Sequence, residues 1–181
     1  MTVKYTIDED DCLTQMLYTA SVSDTIKKRR QRSQVIVPIL YVAMGAFLLY
    51  LGQASASIIF IIIGVLWYFL FPFWERKRYR NYYKASIKES YKGRLGKIVT
   101  FELQDDYISA QDEGTESKVL TTELKEIVDI PTTLLVRLKG GQSFILPKEK
   151  IENISELTAR LKALAEHLNI PFIIKDDWSW K

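Results

Sequence analysis

The residues with the clearest chemical potential sit near the start of the chain. Asp8-Glu9-Asp10-Asp11 sets four carboxylates in a row, the donor type hard cations prefer. A calcium loop spreads its ligands over about 12 residues, with a glycine at the bend and a distal glutamate. This run has neither, so it reads as the acidic first turn of a helix, where negative charge favours the positive end of the dipole. Cys12 follows directly and is the only cysteine, so these 181 residues hold no disulfide. With no histidine nearby in sequence to activate it, Cys12 reads as a small apolar residue. His167 is the only histidine, which excludes a multi-histidine metal site. Its place near the end of a helix suits the negative end of the dipole. Gly140-Gly141 lacks the lysine and hydroxyl residue of a phosphate-binding loop and reads as a turn. No carboxylate pair at acid–base spacing stands out. The expectation is no catalytic residue, no metal ligand and no cofactor; the chain does not read as an enzyme.

Charge placement says more. The chain holds 25 basic and 22 acidic residues, and they are segregated. The first 26 residues carry one basic and five acidic side chains. Lys27, Lys28, Arg29, Arg30 and Arg32 then form one basic cluster. A second runs from Arg76 to Lys97, nine basic residues against Glu89 alone. Within it Arg76, Arg80, Lys84, Lys88 and Lys92 recur every fourth residue, one stripe of a helix, with Lys77 and Arg78 beside it. From Ile98 onward, 15 acidic residues outweigh ten basic ones. A lysine or arginine near an anionic leaflet gains about 1 kcal/mol. The bilayer is therefore the expected partner of these clusters: the stripe either sets topology and stays solvated or meets anionic headgroups. Nucleic acid is not, because the stripe abuts an apolar segment and no nucleic-acid module accompanies it.

Between the clusters lie 42 consecutive uncharged residues, Ser33 to Trp74. As one helix they would span roughly 63 Å, about twice the ~30 Å hydrocarbon core of a bilayer. Two helices fit, residues 33–51 and 58–74, joined by the small polar turn Gly52-Gln53-Ala54-Ser55-Ala56-Ser57. Ile58–Ile63 is apolar all round, leaving no face for water. A cleaved signal peptide is not expected, because the basic cluster stands behind an acidic leader and the apolar run is too long. Basic residues flank both outer ends and the turn carries no charge, so both termini are expected in the cytoplasm of a multi-pass cell (inner) membrane protein, with the turn outside. Trp67, Tyr68, Trp74 and Tyr79 crowd the inner end of the second span, as interfacial anchors do, and Tyr50 marks the outer one. Pro38 and Pro72 are expected near the inner helix ends, where a missing N–H does little harm.

These charges need elements to carry them. Residues 1–32 form a cytoplasmic lead: Val3–Ile7 alternates like a strand, and Asp8 or Asp11 caps a helix through Leu13, Met16, Leu17 and Ala20. Residues 75–96 continue as a basic juxtamembrane helix to about Lys92, stopped by Gly93 and Gly96. Residues 97–170 alternate through six short strands: Lys97–Leu103, Tyr107–Gln111, Glu116–Thr121, Lys125–Ile130, Leu134–Leu138, and Phe144 to Leu146 after Gly140-Gly141. Asn153 with Glu156 forms a capping box for a closing helix whose Leu157, Leu161, Leu164 and Leu168 share one face, ended by Asn169 and Pro171. The tail, 171–181, either adds an edge strand or touches the membrane. The fold class is an α+β membrane protein: a two-helix transmembrane hairpin plus a small antiparallel β-barrel or sandwich, like a pleckstrin-homology domain, capped by a C-terminal helix. If Val3–Ile7 joins the sheet, the strands number seven and the hairpin is an insertion after the first.

Nearly the whole chain resembles the YcxB-like family of bacterial membrane proteins. The resemblance rests on Tyr5–Asp10, the Lys27–Arg32 run, the two-span hairpin, the exit Arg76–Tyr83, and the segments Tyr91–Lys97, Asp112–Lys118 and Gly141–Lys148. It implies a membrane location and a small cytoplasmic C-terminal domain akin to pleckstrin-homology or GRAM folds, with no catalytic signature. The function expected is a non-catalytic, membrane-tethered interaction module meeting the inner leaflet or membrane-bound partners. The alternative is an accessory or regulatory subunit that joins a membrane protein partner through the hairpin. Gly45, Ala46, Gly52, Ala54, Ala56 and Gly64 would supply the small residues such packing needs.

Overall fold

A computed structural model describes residues 1–93 and 95–180. Arg94 and Lys181, counted above among the basic residues, lie outside the described residues, as does that part of the Tyr91–Lys97 segment and of the tail. The fold is α+β, with two long apolar helices and two four-stranded sheets. It divides into two compact units: one of Met1–Gln15 and Lys84–Ser179, the other of Met16–Tyr83 with Trp180.

The first unit holds the sheets. Strand β1 (Thr2–Thr6) pairs antiparallel with β2 (Ile98–Leu103), Val3 opposite Phe101 and Tyr5 opposite Val99. The sheet continues through β3 (Tyr107–Gln111) to β4 (Glu116–Leu120), in the order β1-β2-β3-β4. So residues 7–97 are an insertion between two neighbouring strands. The second sheet is built from β5 (Leu124–Ile130), β6 (Thr133–Leu138) and β7 (Ser143–Pro147), joined by short turns. Gly141, at φ +86°, supplies the left-handed backbone of the β6–β7 turn. Helix α4 (Ile154–His167) follows, and β8 (Phe172–Ile174) closes the order β7-β6-β5-β8.

Two expectations need correction here. The sheets do not close into a barrel, and the second is not wholly antiparallel: β8 runs parallel to β5. The tail follows α4, which takes up the return path, so it arrives at β5 in the same direction as that strand. The core between the sheets is apolar and complete: Phe101, Ile108, Ile127, Leu134, Leu146 and Leu157 are wholly buried. The Asn153–Glu156 capping box does not form, because Asn153 makes no side-chain cap bond and Glu156 pairs instead with Arg160 at 3.1 Å. The other end of α4 stops as expected: Asn169 sits at φ +53°, and the N–H groups of Asn169 and Ile170 donate to Glu166 and Ala165 carbonyls, a Schellman closure.

Helix α1 (Glu9–Val22) begins in this unit. Asp8 caps it: Asp11 N–H donates to Asp8 Oδ1 at 3.2 Å and Asp8 N–H to Asp11 Oδ2 at 2.9 Å, a reciprocal box with aspartate in the usual glutamate place.

The second unit holds the long helices. Helix α2 (Asp24–Tyr50) starts nine residues before the span expected at Ser33, capped by Ser23, so the basic run Lys27–Arg32 is helical. Helix α3 (Ala54–Ser90) is unbroken for 37 residues, merging the expected second span and juxtamembrane helix; its last residues, from Lys84, belong to the first unit. The turn between the helices is shorter than expected. Gly52 at φ +78° lets Gly52 and Gln53 N–H groups reach the Leu49 and Leu48 carbonyls, another Schellman closure, and α3 starts at Ala54. Pro38 and Pro72 therefore lie inside helices rather than near their ends. Each costs one intrahelical hydrogen bond, to the carbonyls of Gln34 and Tyr68 respectively.

The helices meet at glycines. A Cβ on Gly45 would stand 2.8 Å from Ile61 Cγ1 and 3.1 Å from the Ser57 carbonyl oxygen; one on Gly64 would stand 3.1 Å from Tyr41 Cβ. These two small residues thus serve the packing of α2 on α3. Gly52 meets nothing within 4 Å and serves the turn. Both helices are long and apolar enough to cross a membrane, with mean hydropathy of 1.8 and 2.3 over their best windows. Only 6% and 17% of those windows is buried.

Candidate functional site

The basic and aromatic residues of the second unit gather in the first turns of α2 and along the middle of α3. Along α3, Trp67, Phe71 and Trp74 occupy one face at spacings of four and three, which sets their rings together: 5.5 Å between Trp67 and Phe71, 6.2 Å between Phe71 and Trp74. The Arg78 guanidinium lies 5.3 Å over Trp74, and that of Arg76 lies 5.5 Å over Phe73. Of the four expected anchors, Trp67 and Trp74 belong to this group. Tyr68 packs edge-on against Phe69, and Tyr79 lies 6.1 Å from Tyr83 and 5.9 Å from Trp180.

The expected basic residues divide. Lys27, Lys28, Arg29 and Arg32 on α2, and Lys77, Arg78 and Arg80 on α3, are exposed. Arg30 is not part of that surface. Its Nε donates to Glu75 Oε2 at 2.8 Å, and its guanidinium sits 4.9 Å over the Trp180 ring. Glu75 is buried, and the indole N–H of Trp180 donates to the Arg76 carbonyl at 3.4 Å. Burying a carboxylate is costly unless a guanidinium meets it. Sequence reasoning missed this trio of Arg30, Glu75 and Trp180. One signal was present: Glu75 is the single acidic residue between Arg32 and Glu89, so it needs a local cation.

Lys84 and Lys88 belong to the first unit. Lys88 is exposed, while Lys84 Nζ lies 3.9 Å from both Glu9 Oε1 and Asp10 Oδ1. The other carboxylates of the acidic run, Asp8 and Asp11, share Lys150, each at 2.5 Å. Lysine ammonium groups thus meet all four. The Lys150 bond holds Asp8 below the usual carboxylate value. Burial holds Asp11 above it. Cys12 is buried, and burial together with Asp11 and Asp8 pushes its thiol up to about 11, which suits packing rather than nucleophilic attack. His167 is exposed at the end of α4.

Two open cavities mark this unit. One, of about 450 Å³, sits where β2, β3 and β4 face β6 and β7, floored by Val99, Ala110, Ser117 and Phe144 and overlooked by Ile7 and Tyr91. The other, about 440 Å³, lies along α4 beside Leu103, Asp105, Arg160 and His167. Comparison with protein-family models, with curated proteins and with solved structures finds no match.

Proposed function

We propose that the chain is a non-catalytic, membrane-anchored interaction module. Helices α2 and α3 form a transmembrane hairpin of the cell (inner) membrane with both termini cytoplasmic, and the β unit meets anionic headgroups or membrane-bound partners. One observation carries this reading: of 26 exposed large apolar side chains, 22 lie between Val35 and Trp74. Soluble monomers rarely expose contiguous apolar patches beyond a few hundred Å². Lipid removes that penalty, and basic clusters at the open ends of both helices fit the cytoplasmic side. The aromatic group Trp67–Phe71–Trp74, met by Arg78, is the kind of belt that sits at headgroup level. The strand order, four and then three, with a helix after the seventh strand, supports the likeness to a pleckstrin-homology sandwich that the resemblance to the YcxB-like family implies.

Washing membranes that hold the full chain with alkaline carbonate tests the anchor: retention in the pellet supports it, release overturns it. The lipid preference is read from phospholipid that co-purifies in mild detergent. Anionic lipid is expected to be enriched, and Lys77→Glu with Arg80→Glu to remove the enrichment. A second reading, a subunit joined to a larger membrane complex, is favoured by an apolar groove of about 260 Å³ between α2 and α3, lined by Pro38, Val42, Gly64, Val65, Tyr68 and Phe69. Stoichiometric co-purification with another membrane protein, lost on Gly64→Leu, supports it.

A further inference from the structure

The outer edge of β5 is covered by the chain's own tail. Strand β8 contributes three residue pairs, Ile127 with Phe172, Val128 with Ile173 and Asp129 with Ile174. Backbone bonds at either end extend them: Ile127 N–H donates to the Pro171 carbonyl at 2.9 Å, and Lys175 N–H to the Asp129 carbonyl at 2.8 Å. The two partners are unequal. Ile127 and Val128 are wholly buried, whereas Phe172 and Ile173 are half-buried and Ile174 is 58% exposed. A short parallel strand whose side chains are only half-buried or exposed is among the first elements to open. The edge it would leave has unpaired amides beside a packed core, which is costly to leave bare.

From this imbalance we infer that the β5 edge is a docking slot for an extended segment of a partner protein, and that the tail fills it as an internal ligand. The tail defines the chemistry of the occupant. It is a strand parallel to β5, with an aromatic side chain at the Phe172 place, where the ring packs against the core, and aliphatic residues at the next two. Tail and partner strand compete for one edge, so docking releases the tail. This rests on the reading of the chain as an interaction module and names where that interaction occurs.

The test uses the full chain in nanodiscs and a labelled peptide of residues 170–180. In the Ile173→Pro chain the proline cannot donate to the ladder, so the tail's own pairing is broken. Fluorescence anisotropy is expected to show this chain binding the peptide at least tenfold more tightly than the native chain, and the Phe172→Ala peptide losing the gain. Equal binding by both chains overturns the inference. Native-chain hydrogen exchange keeps the test decisive if Ile173→Pro unfolds. The Ile127 amide, which faces β8, is expected to exchange at least tenfold faster than the Val128 amide, which strand alternation points toward β6; equal rates overturn the inference. Carbonate retention is independent of these readouts, so the membrane reading and the slot fail separately.

Discussion

The two units use apolar side chains in opposite ways. In the β unit Phe101, Ile108 and Leu134 are completely buried, and sixteen buried residues form one cluster. Along α2 and α3 side chains as large, such as Phe69 at 64% exposed and Leu40 at 63%, face outward. Composition separates the two, and periodicity explains the difference. Strands β1 to β4 alternate, giving an inner and an outer face, while Ile58–Ile63 offers no polar face at all. A sheet whose polar side meets water builds its own core, whereas a helix apolar all round needs an apolar surrounding.

Truncating a side chain in each unit should show the contrast at its largest. Phe101→Ala is expected to destabilise the β unit by about 3–5 kcal/mol, read from denaturant midpoints, because it removes a wholly buried ring. Phe69→Ala should change stability by under about 0.5 kcal/mol, as for exposed positions generally. A large loss at Phe69 would break the comparison. Within the helical unit the exception is Glu75. Arg30→Ala leaves that carboxylate buried and unpaired, at a cost of about 2 kcal/mol, below the 3–5 of a fully buried pair because Arg30 keeps 21% of its side-chain surface exposed. Glu75→Gln in the same chain should recover most of it, as thermal unfolding in detergent would show.

Packing of α2 on α3 gives the next effect. Gly45→Val drives a side chain into Ile61, and about 1–3 kcal/mol should be lost. Cysteine crosslinking between the two helices should slow accordingly. A smaller effect than these belongs to Lys150. Burial pulls its ammonium down, but hydrogen bonds to Asp11 and Asp8 outweigh this and hold it above its ordinary 10.5. Its contribution is therefore complete below that value and is lost as pH rises through the raised one. Asp8's contribution is present above its ordinary 3.8 and lost in acid, while Asp11, shifted the other way, opposes that change. Urea midpoints should thus fall at alkaline pH by less than about 1 kcal/mol, and Lys150→Met should flatten that limb.

What the sequence disclosed follows from range. Local signals carried well: the alternation of β2 to β7, the Asp8 cap, the Asn169 stop and the long uncharged run all act within a few residues. The pairing of Thr2–Thr6 with Ile98–Glu102 was reachable only as a conditional, since no local pattern names a partner over ninety residues away. Separation in sequence, 45 residues between Arg30 and Glu75 alone, also hid their trio with Trp180, and the three-residue β8 was too short to carry a period. Where two local signals competed, as at Glu156 between a cap and an i+4 arginine, the ion pair won.

The most direct test is accessibility on either side of the membrane. Single cysteines at Gln53 and at Ser179 would be treated with a membrane-impermeant maleimide on intact cells, with native Cys12 buried and silent. Labelling at Gln53 alone, with Ser179 reacting only after lysis, is the predicted result. Labelling of Ser179 on intact cells, or protection of Gln53 until lysis, would contradict a hairpin that crosses the bilayer with both ends inside.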